Sequence, residues 1–175
     1  AAASVGDVLF RDNEQPAFHI RVSSAAVPQV SLTHVTVAGS PTFIVHYELE
    51  GESPATTALA AVNCVFKGYG AFYDLEDPDN ITLSDSFDHC AFSHATMPPA
   101  AMRTGCQTVT AWAGVYVPAA TGQYYLNRSS SLVDAGKKTA AIQALLQERT
   151  TAAPATLAGP ISTATTIERA PRDAE

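Results

Sequence analysis

QVSLTHVTV, residues 29–37, opens as a half-buried strand with Val30 and Leu32 on one face, then changes phase so that Val35 and Val37 face the other way. Side chains alternate along a strand, so one inserted residue inverts every face after it. A β-bulge near His34 supplies that residue and keeps the run in one sheet. The turn AGSPT (38–42) then returns the chain as FIVHYELE (43–50), with Phe43, Val45, Tyr47 and Leu49 opposite Ile44, His46, Glu48 and Glu50. The two runs are expected to be antiparallel neighbours.

The same alternation extends outward. In AFHIRVS (17–23), Phe18, Ile20 and Val22 oppose His19, Arg21 and Ser23. TALAAVNCVFKGYGAFYDL (57–75) reads as a long strand broken at Gly68 and Gly70, with Val62, Cys64 and Phe66 on its inner face. In CQTVTAWAGVYV (106–117), Val109, Ala111, Ala113, Val115 and Val117 oppose Thr108, Thr110, Trp112 and Tyr116, as in a central strand covered on both sides. With a short YYL strand (124–126), seven or eight strands result, at the spacing of a two-sheet antiparallel sandwich or jelly roll. No internal repeat is evident.

The pattern changes after residue 128. SSSLVDAGKKTAAIQALLQER (129–149) carries capping candidates at Ser131 and Asp134 and an apolar stripe through Ile142, Leu145 and Leu146, which predicts an amphipathic helix. Residues 150–175 offer only Leu157, Ile161 and Ile167 as large apolar anchors among Ala, Thr and Pro. Such a segment cannot offset an ordering cost of about 1–2 kcal/mol per residue by itself. It reads as an extended arm that gains contacts from a neighbouring subunit. The organisation expected is a β-domain over 1–128, a helix over 129–149 and an arm over 150–175.

Composition narrows the function. The 175 residues are 46% hydrophobic and only 15% charged, with 17 acidic against 10 basic residues and a formal charge of −7. Clustered Lys and Arg, which neutralise phosphates, are missing, so direct nucleic-acid binding is not expected. No apolar run reaches the roughly 18–20 residues of a membrane-spanning helix, so no membrane insertion is expected. The start AAASVGD, without Met, reads as that of a processed or excised chain. Cys64, Cys90 and Cys106 lack CxxC spacing and allow at most one bridge. Sequons at Asn80 and Asn127 leave the compartment open.

SDSFDHCAFSH (84–94) holds the densest group of reactive side chains. Phe87, Cys90, Ala91 and His94 share a helical stripe, which allows a Cys90–His94 dyad but equally describes a short core-facing helix. Asp88, His89 and His94 offer metal-ligand chemistry without a supporting spacing motif. The acidic turn Glu76, Asp77, Asp79 and Asn80 lacks the order of a calcium loop and reads as solvated. His19 and His46, on the polar faces of their strands, could join Glu48 in acid–base work if those faces converge inside a barrel. Trp112 and Tyr116 suit core packing or an interface.

There is no nucleophile elbow, phosphate loop or dinucleotide fingerprint. These features together predict a non-enzymatic structural or assembly subunit, most concretely a virus capsid or virion-surface β-domain with no cofactor. Its partners would be other protein subunits, in a homo- or hetero-oligomer joined through the arm and through Trp112, Tyr116, Leu157, Ile161 and Ile167. The alternatives are a small β-barrel enzyme or metal-binding module using Asp88, His89 and His94 with help from His46, and a secreted ligand-binding module.

Overall fold

The phase change at His34 is a corner between two sheets, not a bulge within one. His34 has φ 54°, and the same left-handed conformation recurs at Asn63 (φ 53°), His89 (φ 51°) and Gly105 (φ 61°). A non-glycine residue pays about 1–2 kcal/mol to sit there, least for Asn. At the first three corners the backbone is tied to the next turn of chain: the N–H groups of His34, Asn63 and His89 donate to the carbonyls of Val62, Asp88 and Thr104. The residue after each corner, Val35, Cys64, Cys90 or Cys106, starts a new strand direction.

The computed structural model describes residues 2–140 apart from 7–8, 12–14, 26, 41–42, 69, 94–96, 117–125 and 128. Its chain winds in coils. The first contains β1 (Ala2–Gly6), β2 (Leu9–Arg11) and β3 (Phe18–Val22), and the second β4 (Gln29–Thr33), β5 (Thr36–Ser40), β6 (Val45–Leu49) and β7 (Ala55–Thr56). The third contains β8 (Leu59–Val62), β9 (Val65–Gly68), β10 (Tyr73–Leu75) and β11 (Ile81–Thr82). The fourth has β12 (Ser86–Asp88) and β13 (Ala91–Phe92); after a 3-10 turn at Ala100–Met102, the fifth has β14 (Arg103–Thr104) and β15 (Gln107–Thr108).

Each strand pairs in parallel with its counterpart in the next coil. The resulting sheets run β1-β4-β8-β12-β14, β2-β5-β9-β13-β15, β3-β6-β10 and β7-β11. Register partners step evenly along the chain, as in Ala2 with Gln29, Leu9 with Thr36 and Phe18 with Val45. The steps continue as Leu32 to Ala61 to Phe87, and Val37 to Phe66 to Phe92. Parallel neighbours need a crossover of a dozen or more residues, and here the rest of the coil is that crossover. The architecture is a parallel β-solenoid, in which each coil buries its inner side chains against the next.

This overturns the antiparallel sandwich or jelly roll. Alternation shows which face of a strand is buried, but it is silent on the direction of the neighbour. FIVHYELE pairs through β6 with β3 and β10, not with the run before it. The run 57–75 is three strands on three faces, with Leu59 and Ala61 inward before the corner, Cys64 and Phe66 inward after it, and Val62 half-buried. Among the described residues of CQTVTAWAGVYV only Gln107–Thr108 is named strand; Val109 and Val115 are buried, whereas Ala111 and Ala113 are exposed outside any strand. An isolated antiparallel bridge joins Tyr116 to Leu126.

The internal repeat missing from the sequence reading is therefore present, as a corner residue followed by Val or Cys. Of the helix expected over 129–149, the described part shows turns at residues 131–134 and helical backbone at Ala140. Residues 141–149 and the arm, including Leu157, Ile161 and Ile167, lie outside the described residues.

Inside the coils, columns of like residues stack. Phe66, Phe72, Phe87 and Phe92 form one aromatic cluster, with ring centroids 5.2 Å apart for Phe66–Phe72 and 5.5 Å for Phe66–Phe92. All four are essentially inaccessible to solvent. Ala61 lies between Leu32 and Phe87 in register, and its small side chain leaves volume for the larger ring.

Candidate functional site

Three polar clusters follow from the coil geometry. The first surrounds Asp85, between Ser84 and Ser86, in a stretch that reads as polar surface. The carboxylate is only 4% exposed. Its Oδ2 accepts from the hydroxyls of Tyr47 (2.8 Å) and Tyr73 (2.9 Å), and its Oδ1 from the Thr57 hydroxyl (2.5 Å) and the Leu59 N–H (3.0 Å). Burial and the neighbouring Asp85 charge push both phenols far above the ordinary tyrosine value. They are donors at every physiological pH, and the cluster stitches the second, third and fourth coils together.

The second cluster follows the corners. Asn63 clamps a returning strap of chain: its Oδ1 accepts from the Lys137 N–H (2.5 Å) and its Nδ2 donates to the Lys137 carbonyl (3.0 Å). The Lys137 ammonium reaches the Asp88 carboxylate, whose other oxygen accepts from His89 Nδ1 at 2.6 Å. Beneath the strap is a cavity of ≈ 30 Å³, bordered by Asn63, Cys64, His89, Cys90 and Gly136 among others. It has room for a water or two and nothing larger.

Burial pushes the Asp88 carboxyl up, but the hydrogen bonds from Lys137 and His89 and their charges outweigh it, and its pKa falls below the usual value. A depressed carboxyl stabilises the fold above its unfolded pKa of about 3.9 and loses that contribution as pH falls through the lower, folded value. Urea unfolding of wild type and Lys137→Met across acidic pH should therefore show a stability gap that is largest above about pH 4 and closes at lower pH. A gap independent of pH would show that Lys137 acts through packing instead.

The third cluster lies on the outer face of the β3-β6-β10 sheet. His19, His46 and Asp74 are at one register level across three coils, and Arg21 and Glu48 share the next level up. His46 Nδ1 donates to Asp74 Oδ2 (2.8 Å) and His19 Nε2 to Glu48 Oε2 (2.5 Å), since ionised carboxylates can only accept. The two imidazoles meet edge to face, with centroids 4.7 Å apart. Arg21 Nε lies 3.0 Å from Glu48 and holds that carboxyl below its usual range despite some desolvation, with His19 adding to the effect.

The sequence candidates distribute as follows. His19, His46 and Glu48 do converge, on an outer sheet face and not inside a barrel. Asp88 and His89 touch each other and Lys137, while His94 lies outside the described residues. Cys90 is buried at the corner between β12 and β13, so Phe87, Cys90 and Ala91 do not lie on a helix. Contact with Cys106 lowers its thiol pKa, but contact with Cys64 and burial outweigh this and raise it well above normal, which disfavours the thiolate. Among the described residues no group of three or more His, Cys, Asp or Glu is placed to hold a metal ion.

Trp112 and Tyr116 stack with centroids 5.8 Å apart, and Lys67 Nζ lies 5.7 Å from the Trp112 ring centre. They pack against the cluster of Ala91, Val109, Val115 and Leu132, where the strap meets the coils. The sequence reading missed Asp85, Asn63, Asp74 and Lys137. Each acts on residues in other coils, so only the corner period could have pointed to them.

Comparison with protein-family models, curated proteins and solved structures finds no match. Among the described residues, no helix is long and apolar enough to cross a membrane.

Proposed function

We propose that this chain is a non-enzymatic structural module, a β-solenoid segment that works by presenting its faces to other protein subunits in a larger assembly. The supporting observation is where its reactive side chains are directed. Asp85 is engaged by four donors, Asp88 by Lys137 and His89, and Asn63 by both backbone groups of Lys137. Polar chemistry is invested in joining coils, and solenoids offer extended faces and edges on which other chains can dock. The jelly-roll argument for a capsid subunit falls with the antiparallel sandwich; assembly at a virion or cell surface stays within this proposal without it.

Light scattering of the full chain over a hundredfold concentration range should give a defined particle several times the 18.3 kDa protomer. Deleting residues 150–175 should dissociate it while leaving the circular dichroism of the β-domain unchanged. A monomer at every concentration contradicts the proposal.

A second reading rests on the paired imidazoles of the third cluster. Each is oriented by a carboxylate through one nitrogen, which leaves the other nitrogen for a ligand or a proton. Stoichiometric metal in purified protein, or a ligand whose binding is lost in His46→Gln with the melting temperature unchanged, would move the assignment to this face.

A further inference from the structure

Cys64, Cys90 and Cys106 occupy one position in three successive coils, each directly after its corner residue. The backbone confirms the stacking: Ala91 N–H donates to the Cys64 carbonyl at 2.9 Å and Gln107 N–H to the Cys90 carbonyl at 2.8 Å. Parallel strands lie about 4.8 Å apart. That spacing falls within the roughly 4.4–6.8 Å between Cα atoms that a disulfide spans.

The three thiols are free and unequal. Cys64 and Cys90 are buried, whereas Cys106 is partly exposed. Cys106 Sγ accepts from the Cys90 N–H at 3.4 Å, which places it against the neighbouring coil. All three thiols also donate to the carbonyl two residues back, Val62 at 3.3 Å, Asp88 at 3.5 Å and Thr104 at 3.5 Å, so they repeat one orientation from coil to coil and exposure sets Cys106 apart. An oxidant arriving from solvent meets Cys106 first and finds Cys90 as the adjacent thiol.

We propose that Cys90 and Cys106 are a redox-convertible pair, bridged across the fourth and fifth coils by exchange with a low-molecular-weight disulfide of the glutathione class, with Cys64 left as an unpaired thiol. In the first step the Cys106 thiolate attacks the small disulfide, forming a mixed disulfide and releasing one small thiolate. In the second, the Cys90 thiolate attacks Cys106 Sγ, closing the protein disulfide and releasing the second small thiolate. Two protein thiols lose two protons and two electrons, and the small disulfide is reduced to two thiols. The bridge locks the fifth coil onto the fourth.

Contact with Cys90 and burial push the Cys106 thiol up, so exchange is slow at neutral pH and accelerates as pH rises. The test uses the full reduced chain incubated with oxidised glutathione at mildly alkaline pH, then unfolded and alkylated. The expected product is lighter by two hydrogens, retains one alkylatable thiol, joins Cys90 to Cys106 in a non-reducing peptide map, and melts about 5–10 °C higher. C64S should close the same bridge, and in C106S the two remaining thiols should stay free. Three free thiols after prolonged incubation, a glutathione adduct that never resolves, or a bridge containing Cys64 would each overturn the proposal.

Discussion

Asp85→Ala is expected to lower the unfolding free energy by about 3–5 kcal/mol, a large part of what holds a domain of this size together. The substitution removes a carboxylate that is 4% exposed and strands the hydroxyls of Tyr47, Tyr73 and Thr57 and the N–H of Leu59. A buried donor left without an acceptor costs about 1–3 kcal/mol. Four such donors do not add in full, because the space vacated by the carboxylate admits water. Asp85→Asn separates shape from charge: one amide oxygen still accepts, and the amide N–H group can donate to a rotated hydroxyl, so a smaller loss of about 1–3 kcal/mol follows. Urea denaturation of both variants checks the order. A loss under about 1 kcal/mol for Asp85→Ala would mean that Asp85 is a surface residue and that the second, third and fourth coils are joined by packing alone.

Phe66→Ala should cost about 3–5 kcal/mol, the range for deleting a buried aromatic side chain. Its ring stacks on Phe92 and meets Phe72 and Phe87 edge-on, at centroid distances of 5.5, 5.2 and 6.2 Å. The four rings come from the third and fourth coils, so collapse around the cavity would have to move more than one rung. Phe66→Leu refills part of the volume and should recover roughly half of the loss. Thermal unfolding followed by near-ultraviolet circular dichroism measures both. An Ala variant as stable as wild type would place Phe66 outside the core.

What the sequence showed was the facing of residues, not the partnering of strands. Ile20, Val22, Val45 and Tyr47 point inward as their alternation implied, and His19 and Arg21 point out. The direction of the neighbouring strand has no local signature, because parallel and antiparallel strands bury the same alternating face. The decisive signal was the phase change at His34, legible as an inserted residue but not as a corner. Its three repeats are degenerate, since His, Asn, His and Gly all tolerate positive φ and either Val or Cys can follow.

The candidate sites divide in the same way. The convergence of His19, His46 and Glu48 was expected only inside a barrel; the coil register brings them together on an open face instead. Asp85 was invisible because its two phenolic partners lie 38 and 12 residues away and nothing in Ser84-Asp85-Ser86 announces burial. Trp112 and Tyr116 read as two residues on one strand face, but they stack where turns bring them together beside the strap.

Backbone nuclear Overhauser contacts test the solenoid most directly. Parallel coils require amide-to-α contacts whose residue numbers rise together, linking 30 through 33 with 59 through 62 in order, and then 60 through 62 with 86 through 88. Contacts in which one number rises as the other falls, joining 29–37 to 43–50, would restore the antiparallel hairpin and contradict the solenoid.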